Sequence, residues 1–280
     1  MFKVTQLKQI LAGIYQDAED WSEAAKMLNS IPLDSGQRNY EDDFKLDIYL
    51  KITQLQLEAE DSVAAENSLN RATALVTQTK KKDAQIVYKA CHARILDYRR
   101  KYLEAGQKYH EMSLMTEISE PERLQALEKA IHCALLAPAG VQRARLIATF
   151  YKGNGSSIRD SICTGLPDVQ APNITVNCWF LNVDERSITL KSCFSLLEKV
   201  FLQRVISNDE MANFSSVLMP HHRALTVEGW TLVQRAVIEH NLLAVSVLYR
   251  SVTFDNLGSI LGIDPAKAEK VAARMIQVCN

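Results

Sequence analysis

The chain has 280 residues, of which 47% are hydrophobic and 23% are charged, and its formal net charge at pH 7 is −1. This composition supplies enough apolar side chain for a hydrophobic core, which excludes a disordered linker. Because acids and bases are interspersed and nearly balanced, we do not expect the broad basic surface that nucleic acid needs, and we do not expect nucleic acid as a partner.

The six cysteines are scattered along the chain without a CxxC pair. Such scattering is typical of reduced thiols, so we expect a protein of the cytoplasm and the nucleus. No apolar stretch has the length of a membrane span, and the N-terminal residues lack an uninterrupted apolar segment. The sequence therefore predicts neither secretion nor a membrane partner.

From the N-terminus to Lys152, apolar residues recur at helical spacing while Gly and Pro are rare, which predicts amphipathic helices. A self-similar element recurs at Asp20–Ala25, Glu60–Ala65 and Lys101–Gly106. Each copy begins with a polar turn after one helix and continues into the start of a second helix. Paired small residues in the second helix allow two helices to cross closely. We therefore predict an all-α solenoid of helical-hairpin repeats, of TPR or HEAT type, over residues 1–152.

Residues 153–183 break this pattern, because Gly, Pro and Ser are concentrated there and helical periodicity fails. A segment of about thirty residues with this composition is too small for a core of its own, so we predict a disordered insertion. Removing the segment would join Lys152 to Asp184. Codons that can encode Gly153 and Val183 would form a splice donor at one end of the segment and a splice acceptor at the other. We therefore expect the insertion to derive from an unspliced transcript or from a wrongly assembled gene sequence.

Helical periodicity returns after the insertion, and we predict that residues 184–230 continue the repeats. A long helix is then predicted from Thr231 to Tyr249. Beyond it lie a short β-branched run, Ser251-Val252-Thr253, and a short helix, Phe254–Leu261, with an apolar face that we expect in the core.

A last helix is predicted over Pro265–Ile276, with Asp264 as its N-cap. Helix, short strand, helix, turn and helix make up the first half of a winged helix, and the sequence stops at Asn280, where the wing would begin. We therefore predict an incomplete winged-helix subdomain over residues 231–280.

These segments resemble the PCI family, whose module is shared by the proteasome lid, the signalosome and a translation initiation factor. The resemblance rests on QRAVIEHNLLAVSVLYRSVTF (Gln234–Phe254) followed by LGSILGIDPAKAEKVAARMI (Leu257–Ile276). Upstream segments are similar to the signalosome branch of the family: DAEDWSEAAKMLNSIPLDSGQ, HARILDYRRKYLEAGQKYHEMS, ERLQALEKAIHCALLAPAGVQRARLIATFYK and LMPHHRA.

The resemblance implies a non-catalytic scaffold subunit of the COP9 signalosome, the complex that removes NEDD8 from cullin-RING ubiquitin ligases through a metalloprotease in another subunit. The implied partners are other PCI subunits of the same complex and a cullin-RING ligase. In the family, the winged helix lies where edge strands of neighbouring subunits join, so Ser251, Val252 and Thr253 are expected to bind a partner. Two alternatives stay open, a proteasome-lid PCI subunit and a helix-turn-helix protein that binds nucleic acid.

The sequence offers no pattern for catalysis, for a cofactor or for a metal. The motifs GxxxxGK[ST], GxGxxG and HExxH are absent. The pairs Cys91-His92, His132-Cys133 and His221-His222 are adjacent in sequence and lack the i, i+4 spacing of ligands on one helix face. We therefore expect no catalytic residue, no metal, no cofactor and no small-molecule substrate.

Lys267, Lys270 and Arg274 lie on the last helix, where a DNA-binding helix-turn-helix places its contacts. Asp264 and Glu269 are interleaved with them, and no basic arm accompanies them. A solvated helix face is therefore the favoured interpretation of these cations.

Overall fold

The computed structural model describes residues 2–33, 40–151, 185–226 and 229–279. The predicted insertion at 153–183 lies outside the described residues. The chain divides into two compact units, Met1–Leu127 and Glu128–Asn280, with the boundary inside a helix. No helix in the described ranges is both long and apolar enough to cross a membrane.

The first unit consists of consecutive helical hairpins, as predicted. Its helices are α1 (Phe2–Asp17), α2 (Trp21–Asn29), α3 (Asp42–Glu58), α4 (Ser62–Val76), α5 (Lys82–Tyr98), α6 (Tyr102–Ser113) and the first part of α7 (Glu120–Leu136). Each helix packs against the next in sequence from α1 to α6, and α3 also contacts α5. The predicted all-helical repeat fold is confirmed here.

The same turn closes three of these hairpins. Glu19, Glu60 and Arg100 adopt left-handed φ values of 59°, 59° and 61°. In each case the next residue donates its amide to the carbonyl five residues earlier at 2.9 Å, for example from Asp61 to Gln56. This is the hydrogen-bond pattern of a Schellman C-cap, made here without glycine.

Two of the turns also start the following helix. The Asp20 carboxylate accepts from the amide of Glu23 at 3.2 Å, and the Asp61 carboxylate accepts from the amide of Ala64 at 2.9 Å. A short polar segment therefore ends one helix and caps the next. One turn later, Ala24, Ala65 and Ala105 are completely buried, which allows the close helix crossing that the repeat requires.

The second unit continues as helices. It contains the rest of α7, α8 (141–151), α9 (Glu185–Phe201), α10 (Asn208–Val217), a 3₁₀ turn (Pro220–Arg223), α11 (Leu232–Leu248), α12 (Phe254–Leu261) and α13 (Pro265–Cys279). The hairpin turn recurs once more after α9, where Gln203 has a φ of 54°. Within the described residues, β structure is limited to an isolated bridge between Leu225 and Thr231.

The predicted helix-turn-helix forms between α12 and α13. Gly262 ends α12 with a φ of 66°, and the amide of Ile263 donates to the carbonyl of Gly258 at 3.0 Å. A Cβ at position 258 would lie 2.8 Å from the carbonyl oxygen of Ile263, so only glycine fits this crossing. The two helices share a core with α11, formed by Ile238, Val245, Leu257, Leu261, Ala268, Val271 and Met275.

Candidate partner-binding site

Three consecutive buried polar residues, Glu239, His240 and Asn241, hold α11 in place. The Asn241 side chain forms two hydrogen bonds with the backbone of Ile206, accepting from its amide at 2.8 Å and donating to its carbonyl at 3.0 Å. The Nε2 atom of His240 lies 2.8 Å from the carbonyl oxygen of Arg204. Because a carbonyl only accepts, Nε2 carries the hydrogen of this bond. The segment that follows α9 is thus attached to α11 through its backbone.

Burial lowers the pKa of His240 to about 4, and the charge of Arg143 acts in the same direction. His240 is therefore neutral at physiological pH. Arg143 is itself buried, and burial lowers its pKa to about 10 while Glu239 opposes this shift. Its guanidinium donates to the carbonyls of Ala134 and Leu135 at 3.1 and 3.0 Å, which satisfies the end of α7.

Glu239 joins α11 to two further segments. Its Oε2 accepts from the amide of Ala139 at 3.1 Å. Its Oε1 lies 3.7 Å from Nε of Arg235 and 3.6 Å from a guanidinium nitrogen of Arg274, which belongs to α13. Together with its neighbours, this carboxylate fixes the position of α11, and α11 in turn positions the segment that leaves its C-terminal end.

That segment contains the predicted partner-binding residues Ser251, Val252 and Thr253, and the structure corrects their predicted conformation. They form no strand, although Thr253 is extended with φ −75° and ψ 153°. A strand requires a second backbone to pair with, and within the described ranges no backbone group bonds to the backbone of Ser251 or Val252. Thr253 instead caps α12, its side chain accepting from the amide of Asn256 at 3.4 Å.

The extended segment borders a surface groove with a volume of 510 Å³. All three predicted residues line it, together with side chains at the end of α11 and along α12: Tyr249, Asn256, Ser259 and Ile260. The groove therefore combines backbone groups that have no backbone partner among the described residues with a mixed polar and apolar wall, an arrangement that can accept an added strand. We call it the edge groove.

Large apolar side chains lie exposed around the edge groove. The exposed fraction is 68% for Leu248, 51% for Tyr249, 37% for Val252 and 49% for Phe254. The prediction that Phe254 belongs to the core was wrong, whereas its neighbours Leu257 and Leu261 are buried as expected. Contiguous exposed apolar side chains of this kind mark protein-interaction surfaces.

The cations predicted on the last helix come together on one face of α13. Lys267, Lys270 and Arg274 line a concavity of 270 Å³ with Val271 and Trp230. Trp230 was not identified from the sequence as part of this face. Trp230 lies nearly forty residues before α13, and no local sequence pattern connects the two. We call this concavity the basic groove.

His132 has a partner that the sequence did not reveal. Its Nε2 lies 3.1 Å from Sγ of Cys193 and 4.0 Å from Oε1 of Glu128. These three donor atoms lie within 4.8 Å of one another, a composition that could hold a metal ion. Burial raises the pKa of the Cys193 thiol to about 12, so without a metal the thiol is protonated and hydrogen-bonds to the imidazole.

Comparison with known proteins agrees with this geometry. A PCI domain model matches residues 196–279, which contain the helix-turn-helix and the edge groove. The chain is a PCI-domain protein. A second model, PSMD12/CSN4, N-terminal, matches residues 2–121 and thus nearly all of the first unit.

Curated relatives of this PCI-domain protein are subunits of one complex. It is 40% identical to COP9 signalosome complex subunit 4 of Drosophila melanogaster over 98% of this chain and 60% of the relative. The subunit 4 proteins of Arabidopsis thaliana and Dictyostelium discoideum are also 40% identical, over 96% and 98% of this chain and 62% and 61% of the relatives. The resemblance to the signalosome branch of the PCI family is confirmed. The chain spans about three fifths of the length of these relatives.

Proposed function

We propose that this chain is a non-catalytic scaffold subunit of the COP9 signalosome, the complex that removes NEDD8 from cullin-RING ubiquitin ligases. The observation that carries the proposal is its 40% identity to signalosome subunit 4 over 98% of its length. The fold supports it, because stacked helical hairpins followed by a PCI domain offer extended surfaces for other proteins. The proposed partners are sibling PCI subunits and a cullin-RING ligase.

The edge groove is the proposed contact with a sibling PCI subunit. An incoming strand would satisfy the backbone groups of Ser251 and Val252 and would cover the exposed side chains of Tyr249 and Phe254. Main-chain hydrogen bonds would supply affinity and the apolar wall would supply specificity. Because buried hydrogen bonds hold α11 in place, the segment is presented in one orientation and loses little entropy on binding.

Co-purification with sibling signalosome subunits tests this contact. Val252→Pro removes the amide that an added strand would use, and we expect co-purification to fall about tenfold or more. Val252→Ala is the matched control, because it shortens the side chain and keeps the amide, and it should lose about twofold at most. Equal co-purification of Val252→Pro and wild type, with unchanged circular dichroism, would contradict the proposed contact.

The non-catalytic role is tested separately. The chain purified free of other subunits should leave NEDD8-conjugated cullin intact, with or without added zinc. Zinc-dependent release of NEDD8 by this material would overturn the non-catalytic part of the proposal, and a variant Cys193→Ala/His132→Ala would then show whether the cluster beside α9 is responsible.

A further inference from the structure

Two lysines of the basic groove have no ion pair among the described residues. Several lysines elsewhere lie within 4.0 Å of a carboxylate, whereas others, such as Lys80, do not; the paired ones are Lys26, Lys45, Lys81, Lys82, Lys101, Lys108 and Lys199. Among the described residues, no carboxylate lies within this distance of Lys267 or Lys270. Both side chains are exposed, and they lie at i and i+3, which places them on one face of α13.

The inner end of the groove carries more positive than negative charge. Arg274 lies one further turn along the same face, and its guanidinium is held 3.6 Å from Glu239 Oε1. That same oxygen is shared with Arg235 at 3.7 Å, and the other oxygen of Glu239 is used by the amide of Ala139. One carboxylate therefore faces two guanidinium groups.

Trp230 turns this charged helix face into a concave site. It is half-buried, packs against the core shared by α11, α12 and α13, and lines the concavity together with the cations. A concavity of 270 Å³ is large enough for one or two side chains of a partner. A fixed indole beside arginine and lysine side chains is typical of the centre of a protein-protein contact.

We propose that the basic groove binds an extended acidic segment of a partner protein. Alternate side chains of an extended segment project to one side about 7 Å apart. The Cβ atoms of residues at i and i+3 on a helix are about 5–6 Å apart, and the flexible side chains of Lys267 and Lys270 can spread to cover the difference. Two carboxylates in an acidic-x-acidic pattern thus reach both lysines, and an intervening or flanking apolar side chain packs on Trp230. The groove is separate from the edge groove, and the proposal does not depend on which complex contains the chain.

Fluorescence anisotropy with the full chain tests the proposal. The probe is a labelled eight-residue peptide of alternating Glu and Gly, titrated at low ionic strength. We expect saturable binding that weakens about tenfold or more in Lys270→Glu, and about threefold in the milder Lys270→Gln, since charged contacts at a partly desolvated site dominate.

The control is Lys80→Glu, an exposed lysine of the first unit whose replacement changes the net charge of the chain by the same amount. It should alter binding by less than about twofold, because Lys80 does not line the basic groove. Equal weakening by Lys270→Glu and Lys80→Glu, or no saturable binding to the wild type, would refute the site. Tighter binding of a 20-base-pair duplex that Lys270→Glu abolishes would replace the acidic segment with nucleic acid.

Discussion

The two units of this chain differ in the interactions that stabilise each of them internally. In the first unit, each helix packs on its neighbours in sequence, and the hairpin turns repeat with little variation. In the second, buried polar side chains connect distant segments, as Asn241 does with Ile206 and Glu239 with Ala139, 35 and 100 residues away. Because contacts in a repeat region are local, one repeat can change without affecting distant repeats. A buried polar network allows only one arrangement of the segments that it connects. The proposed binding surfaces lie in the unit whose arrangement is specified.

The largest expected effect comes from breaking that network. Asn241→Leu leaves the buried amide and carbonyl of Ile206 without partners, so the second unit should lose about 3 kcal/mol of stability. Hydrogen exchange should show faster exchange in α9, α10 and α11, while α3 and α4 keep their protection. Ser246→Ala, on the exposed side of the same helix, is the control and should change little. Loss of protection in α3 and α4 as well would contradict the distinction between the units.

The next effect is a pH dependence of the second unit that His240 causes. Because the folded pKa of His240 lies near 4, below its ordinary value of 6.5, the unfolded chain binds the proton first as pH falls. The stabilisation that neutral His240 contributes is fully present above about pH 6.5 and is lost between pH 6.5 and 4. The free energy of unfolding of the second unit should therefore be about 2 kcal/mol lower at pH 5 than at pH 7. His240→Gln retains a donor for the carbonyl of Arg204 but does not titrate. Urea unfolding should therefore show a flatter pH profile for this variant, and parallel profiles would exclude His240 as the cause.

A smaller effect is expected at the helix-turn-helix. Gly258→Ala places a Cβ against the carbonyl of Ile263, so the two helices must separate, at a cost of about 1.5 kcal/mol. Gly140→Ala is the matched control, since no atom lies within 4 Å of its added Cβ. Thermal unfolding followed by circular dichroism should separate the two variants by several degrees. Equal stability would show that α12 and α13 adjust more freely than the close contact indicates.

The smallest effect is a gain in the first unit. Glu60→Gly relieves a left-handed conformation in a residue with a Cβ, so the unit should become more stable by about 0.7 kcal/mol. Gln107→Gly, at an exposed position inside α6, should lower stability by a similar amount, because glycine there only adds unfolded-state entropy. Opposite shifts in the urea midpoint are expected, and shifts of the same sign would contradict the strained turn.

The hairpin repeats could be predicted from the sequence because their signals are local. The polar turn around Asp61 and the small pair Ala64-Ala65 lie within a few residues of each other, and the structure uses both as expected. The long helix that follows Thr231 was also predicted, as was the last helix beginning at Pro265.

Contacts between distant segments were not predictable in this way. Nothing in the local pattern pairs His132 with Cys193, or Asn241 with the backbone of Ile206. Phe254 was assigned to the core because it continues the apolar spacing of α12, yet it lies at the first turn, where the helix emerges beside the edge groove. Sequence periodicity identifies the apolar face of a helix, but it does not show where along the helix the segments that pack on this face end.

Hydrogen exchange at Ser251 and Val252, in the free chain and in a reconstituted signalosome, tests the proposed scaffold role most directly. In the free chain these amides have no backbone partner among the described residues and should exchange within seconds. Strand addition at the edge groove predicts that incorporation slows both by about a hundredfold or more. If the chain enters the complex and both amides exchange at the same rate as in the free chain, the edge groove is not where it docks.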